Sequence, residues 1–380
     1  MRRFQLLVAA VVLVDTVFFA VLSPLLPGYA ASLGLSKSAA GLLAGSFAAG
    51  VLVAALPSGL LASRLGLRTS LVLGLGLTAV NSVLFGLADS WALLVLTRFA
   101  AGIGSACSWT AALGWLARTA RPERRGELIG FAMSAAVAGA FLGPAVGAAA
   151  AWIGTGPAFA TIAAACAILA VRVATLPEPE AETRSVTMVG ALGIQSLRVP
   201  LGMIMLAPLL FAVLGVLVPL SLGAQGWGAG RVGALYAASA VLEAFAHPLL
   251  GRWADRQGAL APITAGLLGS AVILAALAAT DAPAPVAALA MAASITFGAT
   301  FVPGMALLTR AADAASVDGV LAIALANFAW ALGHAVASPF CGWLADLAGD
   351  TVTYLGFAAL CVGVVAALRS PRLVDAMRAS

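Results

Sequence analysis

Polar positions are sparse along this chain. They come in short clusters that separate apolar runs of about 20 residues or more. The runs lack the polar–apolar alternation expected of transmembrane strands, so a membrane barrel is excluded. They are apolar throughout, and each is long enough to cross a bilayer as an α-helix. Twelve can be laid down, near 4–27, 39–62, 69–89, 91–117, 127–151, 155–175, 199–222, 231–251, 260–280, 283–309, 319–345 and 351–369, numbered here span 1 to span 12. The first follows Arg2 and Arg3 but continues past Asp15 to Pro24 without a convincing cleavage site. It therefore reads as a span and not as a signal peptide. The expected fold class is an all-α membrane protein of twelve transmembrane helices.

Composition agrees. Hydrophobic residues make up 62% of the 380 positions and charged residues 9%, against roughly 25% charged in soluble domains. Too few polar side chains remain to cover a soluble surface, and disorder is excluded by the same hydrophobicity. Cys107, Cys166, Cys341 and Cys361 are scattered in apolar runs with no framework spacing. The net charge of +5 comes from basic residues dispersed singly, so nucleic acid is not an expected partner. Seventeen of the twenty Lys and Arg fall in alternate connections and the tails, leaving Lys37 and Arg231 on the other side and Arg98 within a span. The positive-inside rule then puts both termini in the cytoplasm of a cell (inner) membrane protein.

The longest polar connection contains Pro177, Glu178, Pro179, Glu180 and Glu182 and divides the chain near its middle. A shift of 192 positions lays Pro27, Gly41, Gly59, Arg64 and Gly66 on Pro219, Gly233, Gly251, Arg256 and Gly258, and a shift of 195 lays Pro144 and Gly147 on Pro339 and Gly342. One offset held across several spans marks a parallel repeat of two six-helix halves, a transporter signature. The expected organisation is an N-terminal bundle over 1–175, a cytoplasmic linker over 176–198 and a C-terminal bundle over 199–380.

Four motifs stand on this frame. The turn after span 2 carries Gly59, Ser63, Arg64, Gly66 and Arg68, and its copy after span 8 carries Gly251, Asp255, Arg256 and Gly258. Glycines permit the sharp turn, while Asp and Arg suit helix ends and bridges between helices. Span 5 carries Gly130, Gly139, Gly143-Pro144 and Gly147. Small residues four apart form a groove for a neighbouring helix, and the proline permits a bend. Span 4 carries Leu94, Arg98, Gly102 and Gly104, and span 1 carries Asp15 before Pro24 and Pro27.

These turns resemble the signature loop of the major facilitator superfamily, Gly-x-x-x-Asp-Arg-x-Gly-x-Arg. Ser63 stands where the first copy usually has Asp, so its charge latch is expected to be weakened, whereas Asp255 is kept in the second. The span-5 pattern resembles the motif of proton-linked antiporters in the same superfamily, with Ala148 in place of a second Gly. Span 4 resembles Leu-x-x-x-Arg-x-x-Gln-Gly-x-Gly, with Ala101 in place of Gln, so any hydrogen bond of that amide is missing. Span 1 resembles that of twelve-span drug:proton antiporters. The resemblance implies a secondary transporter and not an enzyme, exporting a small lipophilic or amphipathic solute in exchange for protons by alternating access about a central site.

The candidate site residues follow from polarity inside the membrane, where an ionisable side chain is costly and marks function by default. Asp15 sits near mid-span and belongs to one half only, since its repeat partner is Ala207. Glu243 and His247 lie four apart on span 8 with Tyr236 seven residues earlier; Asn327, Trp330 and His334 share a face of span 11; Ser105 and Trp109 follow Arg98 on span 4. Proton coupling is assigned to Asp15, Arg98, Glu243 and His247, with Arg98 expected to pair with the ionised acid. Phe19, Ser105, Trp109, Tyr236, Asn327, Trp330 and His334 are assigned to the solute cavity. No zinc-type cluster, phosphate loop or dinucleotide fold context occurs, so no metal and no cofactor are expected. The partners expected are lipid bilayer, protons and a small-molecule substrate, for a monomer. Proton-coupled nutrient uptake on the same fold and a non-transporting receptor or scaffold are the rival readings.

Overall fold

The computed structural model describes residues 2–119, 124–178, 188–317 and 319–369. The described residues form fourteen helices: α1 (Arg2–Ala20), α2 (Leu22–Leu33), α3 (Lys37–Leu65), α4 (Leu67–Gly86), α5 (Trp91–Thr119), α6 (Arg125–Ile153), α7 (Thr155–Ala174), α8 (Met188–Leu192), α9 (Gln195–Ala224), α10 (Ala229–Gln257), α11 (Leu260–Ala278), α12 (Pro283–Ala314), α13 (Gly319–Ala348) and α14 (Asp350–Leu368). Twelve spans are long and apolar enough to cross a membrane, with α1 and α2 together making the first, Phe4–Leu33. The all-α, twelve-span class expected from the sequence is the class observed.

The ends of the spans differ from the sequence reading where apolar contacts continue past the membrane-length run. Span 7 begins at Gln195 and span 10 reaches Ala314. There Leu197 and Leu201 of α9, Leu308, Ala311 and Ala312 of α12, and Leu321 and Leu325 of α13 form one buried cluster, with Ala191 of α8 beside it. Burial of these side chains favours continuing the helices where water would otherwise meet them. Span 1 has a break at Val21 that separates α1 from α2. Pro24 has no N–H to offer the carbonyl of Ala20, and its ring crowds that turn. The residues 179–187, which include Pro179, Glu180, Glu182 and Arg184 of the expected linker, lie outside the described residues, as do Arg121, Arg372 and Arg378.

Two compact units make up the chain: Met1–Gly34 with Ser46–Thr183 and Gly228–Ala237, and Leu35–Gly45 with Arg184–Trp227 and Ala238–Ser380. In the first, α1 lies along α6, and α4 lies between α5 and α7. In the second, α9 lies against α12 and α13, and α11 against α12 and α14. Each unit takes in the opening turns of one helix from the other half of the sequence. In the second unit, a Cβ on Gly41 of α3 would run into the carbonyl of Ser338 beside Pro339 on α13. In the first, a Cβ on Gly233 of α10 would stand 2.8 Å from the carbonyl oxygen of Pro144 on α6. These are the positions that the two repeat offsets bring into register.

Candidate functional site

The first unit surrounds α1 with two unlike surfaces. On one side, α6 offers the glycine groove. A Cβ on Gly139 would lie 2.7 Å from the Leu13 carbonyl oxygen, and one on Gly143 would lie 2.6 Å from the Ala20 Cβ. A Cβ on Gly147 would collide with the Val21 carbonyl at the helix break. The groove thus takes in the first span from Leu13 in α1 to Pro24 in α2. Gly130, included in the motif from sequence, meets nothing within 4 Å and stands outside it.

On the other side, α5 offers polar groups. Arg98 is only 1% exposed. Its Nη1 donates to the Phe18 carbonyl at 3.4 Å and its Nη2 to the Phe19 carbonyl at 3.2 Å. The rings of Phe18, Phe47 and Phe85 stand 5.8, 5.7 and 5.9 Å from its guanidinium carbon, close enough for cation–π attraction. Two turns along the same face, the Ser105 hydroxyl donates to Asp15 Oδ2 at 2.8 Å, with both residues buried. Arg98 and Asp15 therefore hold separate partners. Among the described residues the expected ion pair between them is absent. The break at Val21 explains the substitute: carbonyls next to a proline-disrupted turn are accessible acceptors, and a guanidinium forked across two of them stays paired without a carboxylate.

Phe19 packs at a tilt against Phe47, ring centroids 5.6 Å apart. Trp109 follows Ser105 by one turn, and its indole nitrogen is buried with no hydrogen-bond partner among the described residues. Tyr236 lies in the stretch of α10 that belongs to this unit.

In the second unit, His247 Nε2 lies 3.2 Å from Glu243 Oε1, with side chains 25% and 28% exposed. The pair can bond ionically when the imidazole is protonated, but its alignment is not that of a hydrogen bond. Gly298 of α12 makes the seat for this imidazole, since a Cβ there would lie 2.9 Å from His247 Nε2. On α13, Trp330 meets His334 edge to face at 4.8 Å, and Asn327 lies one turn earlier, half-buried.

A sequence profile described as Major Facilitator Superfamily matches residues 8–202 and 200–376. The chain belongs to the major facilitator superfamily. It is a secondary transporter and not an enzyme, and an integral membrane protein. Solved superfamily structures share the fold. A D-xylose–proton symporter superposes with a TM-score of 0.75 at 20% identity, each chain covered to 96%. The nucleoside transporter NupG also gives 0.75, at 11% identity, over 96% of this chain and 98% of its own. Among curated relatives, the human synaptic vesicular amine transporter is 33% identical over 85 residues, which is 22% of this chain and 16% of that protein. Quinolone resistance protein NorA of Staphylococcus aureus (strain MRSA252) is 26% identical over 121 residues, 32% of this chain and 31% of that protein. The chain thus spans less than a third of each of these two relatives.

The superfamily's signature loops carry their charges in an unexpected way. Ser63 bonds back to the Leu60 carbonyl at 2.9 Å. Beside it, Glu178 accepts the Arg68 backbone N–H at 3.1 Å and lies 3.5 Å from Arg68 Nε. An acid from the segment after α7 therefore reaches the first loop, where the sequence reading expected a weakened charge latch. In the second loop, Asp255 and Arg256 are exposed and make no ion pair or hydrogen bond among the described residues. The reason is local: Gly66 at φ +87° leaves the start of α4 open to the Glu178 carboxylate, whereas Gly251 and Gly258 have no comparable neighbour.

Sequence reasoning missed the Phe18, Phe47 and Phe85 cage and the Gly298 seat. Both assemble from separate helices with no shared spacing. The buried position of Arg98 was the available signal for the first, because a buried guanidinium needs partners.

Proposed function

We propose that this transporter exports a small lipophilic or amphipathic solute in exchange for protons, with Asp15 as the main proton carrier. One observation carries the reading: a buried carboxyl on α1, tied to a hydroxyl and not to a cation, in a span gripped by the glycine groove of α6. Such a group can be neutral or ionised without breaking an ion pair. Proton binding and solute binding then compete, a negative coupling between two ligands that alternating access turns into exchange. The names of the two partial relatives, a vesicular amine transporter and a quinolone resistance protein, support an amphipathic substrate class. Glu243 and His247 serve as a secondary proton site, and Trp109, Tyr236, Asn327, Trp330 and His334 line the solute path. The transporter works as a monomer in the cell membrane, with both termini cytoplasmic.

The test is an efflux panel in cells lacking their own pumps, with and without a proton-gradient uncoupler, followed by solute-driven proton movement in oriented vesicles. Export that stops with the uncoupler and protons moving against the solute are the expected results. Protons moving with the solute would overturn export in favour of uptake, and no solute-dependent proton movement would overturn the coupling.

A further inference from the structure

We infer that Ser105 is a positioning residue for Asp15 and not a wall of the solute cavity. Its hydroxyl supplies a polar contact to α1 from the same face of α5 on which Ala101, in place of the motif's Gln, offers none. The inference rests on the reading of Asp15 as proton carrier.

The rotation of α5 is fixed from two directions. Gly102 abuts the Phe47 carbonyl of α3 with no room for a Cβ, and a Cβ on Gly104 would lie 2.7 Å from the Gly74 carbonyl oxygen of α4. Backbone packed this closely on two helices cannot roll without steric overlap. A third face, which carries Arg98, Ala101 and Ser105, is thereby held toward α1 by helical spacing. Arg98 is committed to the Phe18 and Phe19 carbonyls. Ala101 is fully buried and offers only a methyl group. Ser105 is the first group on that face able to reach the carboxyl, and it is the one hydrogen-bond partner of Asp15 among the described residues.

A hydroxyl suits a carboxyl that changes protonation. It donates to the ionised form and accepts from the protonated one, whereas a guanidinium or ammonium can only donate. Asp15 can thus stay oriented through both halves of a cycle. The other groups about it do not take that role. Cys166 of α7 lies within electrostatic reach but makes no hydrogen bond to it, Arg98 is engaged elsewhere, and α6 presents glycines.

The test uses the full chain in phospholipid vesicles, with no solute. Infrared difference spectra across pH follow the carbonyl stretch of protonated carboxyls, and Asp15→Asn identifies the Asp15 band by its loss. Ser105→Ala should move the midpoint of that band by about one pH unit, the effect of losing one hydrogen bond to a charged group. Ser105→Thr keeps the hydroxyl and should stay near wild type. Ser105→Cys, close in size but a weak donor, should fall between them. Should the alanine variant fail to insert, the order wild type, Thr, Cys still decides. In parallel, ethidium efflux should fall in Ser105→Ala and return in Ser105→Thr. An Asp15 band unmoved in Ser105→Ala and Ser105→Cys overturns the positioning role while leaving Asp15 as carrier. A spectrum with no band that depends on Asp15 overturns both.

Discussion

The two units each carry an acid inside a span, and they treat it in opposite ways. Asp15 is 9% exposed, hydrogen-bonded across to another helix and backed by a glycine groove. Glu243 is about a quarter exposed, and the partner beside it is on its own helix, four residues along. The first carboxyl is bonded across to another helix; the second has its polar partner on its own helix, by helical periodicity. A duplicated bundle has thus diverged at its polar positions while keeping its close helix contacts, as at Gly41 beside Pro339 and Gly233 beside Pro144. Repeat symmetry therefore predicts packing far better than it predicts chemistry.

That contrast can be broken most directly at the two acids. Asp15→Asn should abolish uphill, gradient-driven efflux while leaving insertion intact, whereas Glu243→Gln should lower it by no more than about fivefold, in line with the small contribution of partly exposed ion pairs. Equal losses from the two variants in the same vesicle assay would erase the distinction. The groove comes next. Gly143→Leu places a side chain where the Ala20 Cβ already stands, so transport should be lost at normal expression. Wild-type rates would mean that α1 and α6 separate freely.

Arg98 sharpens the comparison from within the first unit. Arg98→Ala leaves two carbonyls and three aromatic rings without their cation and should cripple transport. Arg98→Lys keeps the charge but not the fork across two acceptors, so it should retain part of the rate. If lysine and alanine give the same initial efflux rate, the forked geometry is irrelevant. The smallest effect is expected in the second unit. Gly298→Ala crowds His247 and should lower the maximal transport rate by only about twofold, since one methyl group displaces the tip of a partly exposed side chain.

Much of the fold was legible because a span is a local property: about 20 apolar residues announce it wherever they occur. The glycine positions 139, 143 and 147 were legible for a similar reason, as small residues at helical spacing mark a close approach without naming the neighbour. The partner of Arg98 was not legible. A buried guanidinium demands acceptors, but carbonyls freed near a helix break carry no residue code, and Asp15 was the nearest charge the sequence could offer. Glu178 was equally hidden, because a long segment separates it from Arg68 and only the turn at Gly66 brings them together.

One feature at the start of α3 has a practical use. Lys37 is the single lysine of the chain. Its Nζ lies 2.6 Å from Asp350 Oδ1, while Asp346 accepts the backbone N–H groups of Lys37 and Ser38 at 3.1 and 2.7 Å. An ammonium held by a carboxylate reacts slowly with acylating reagents, and no other side-chain amine competes for them. Acylation of Lys37, read by mass spectrometry after blocking the amino terminus, is thus a native one-site clock for how often that contact opens, with no cysteine engineering and no fluorophore.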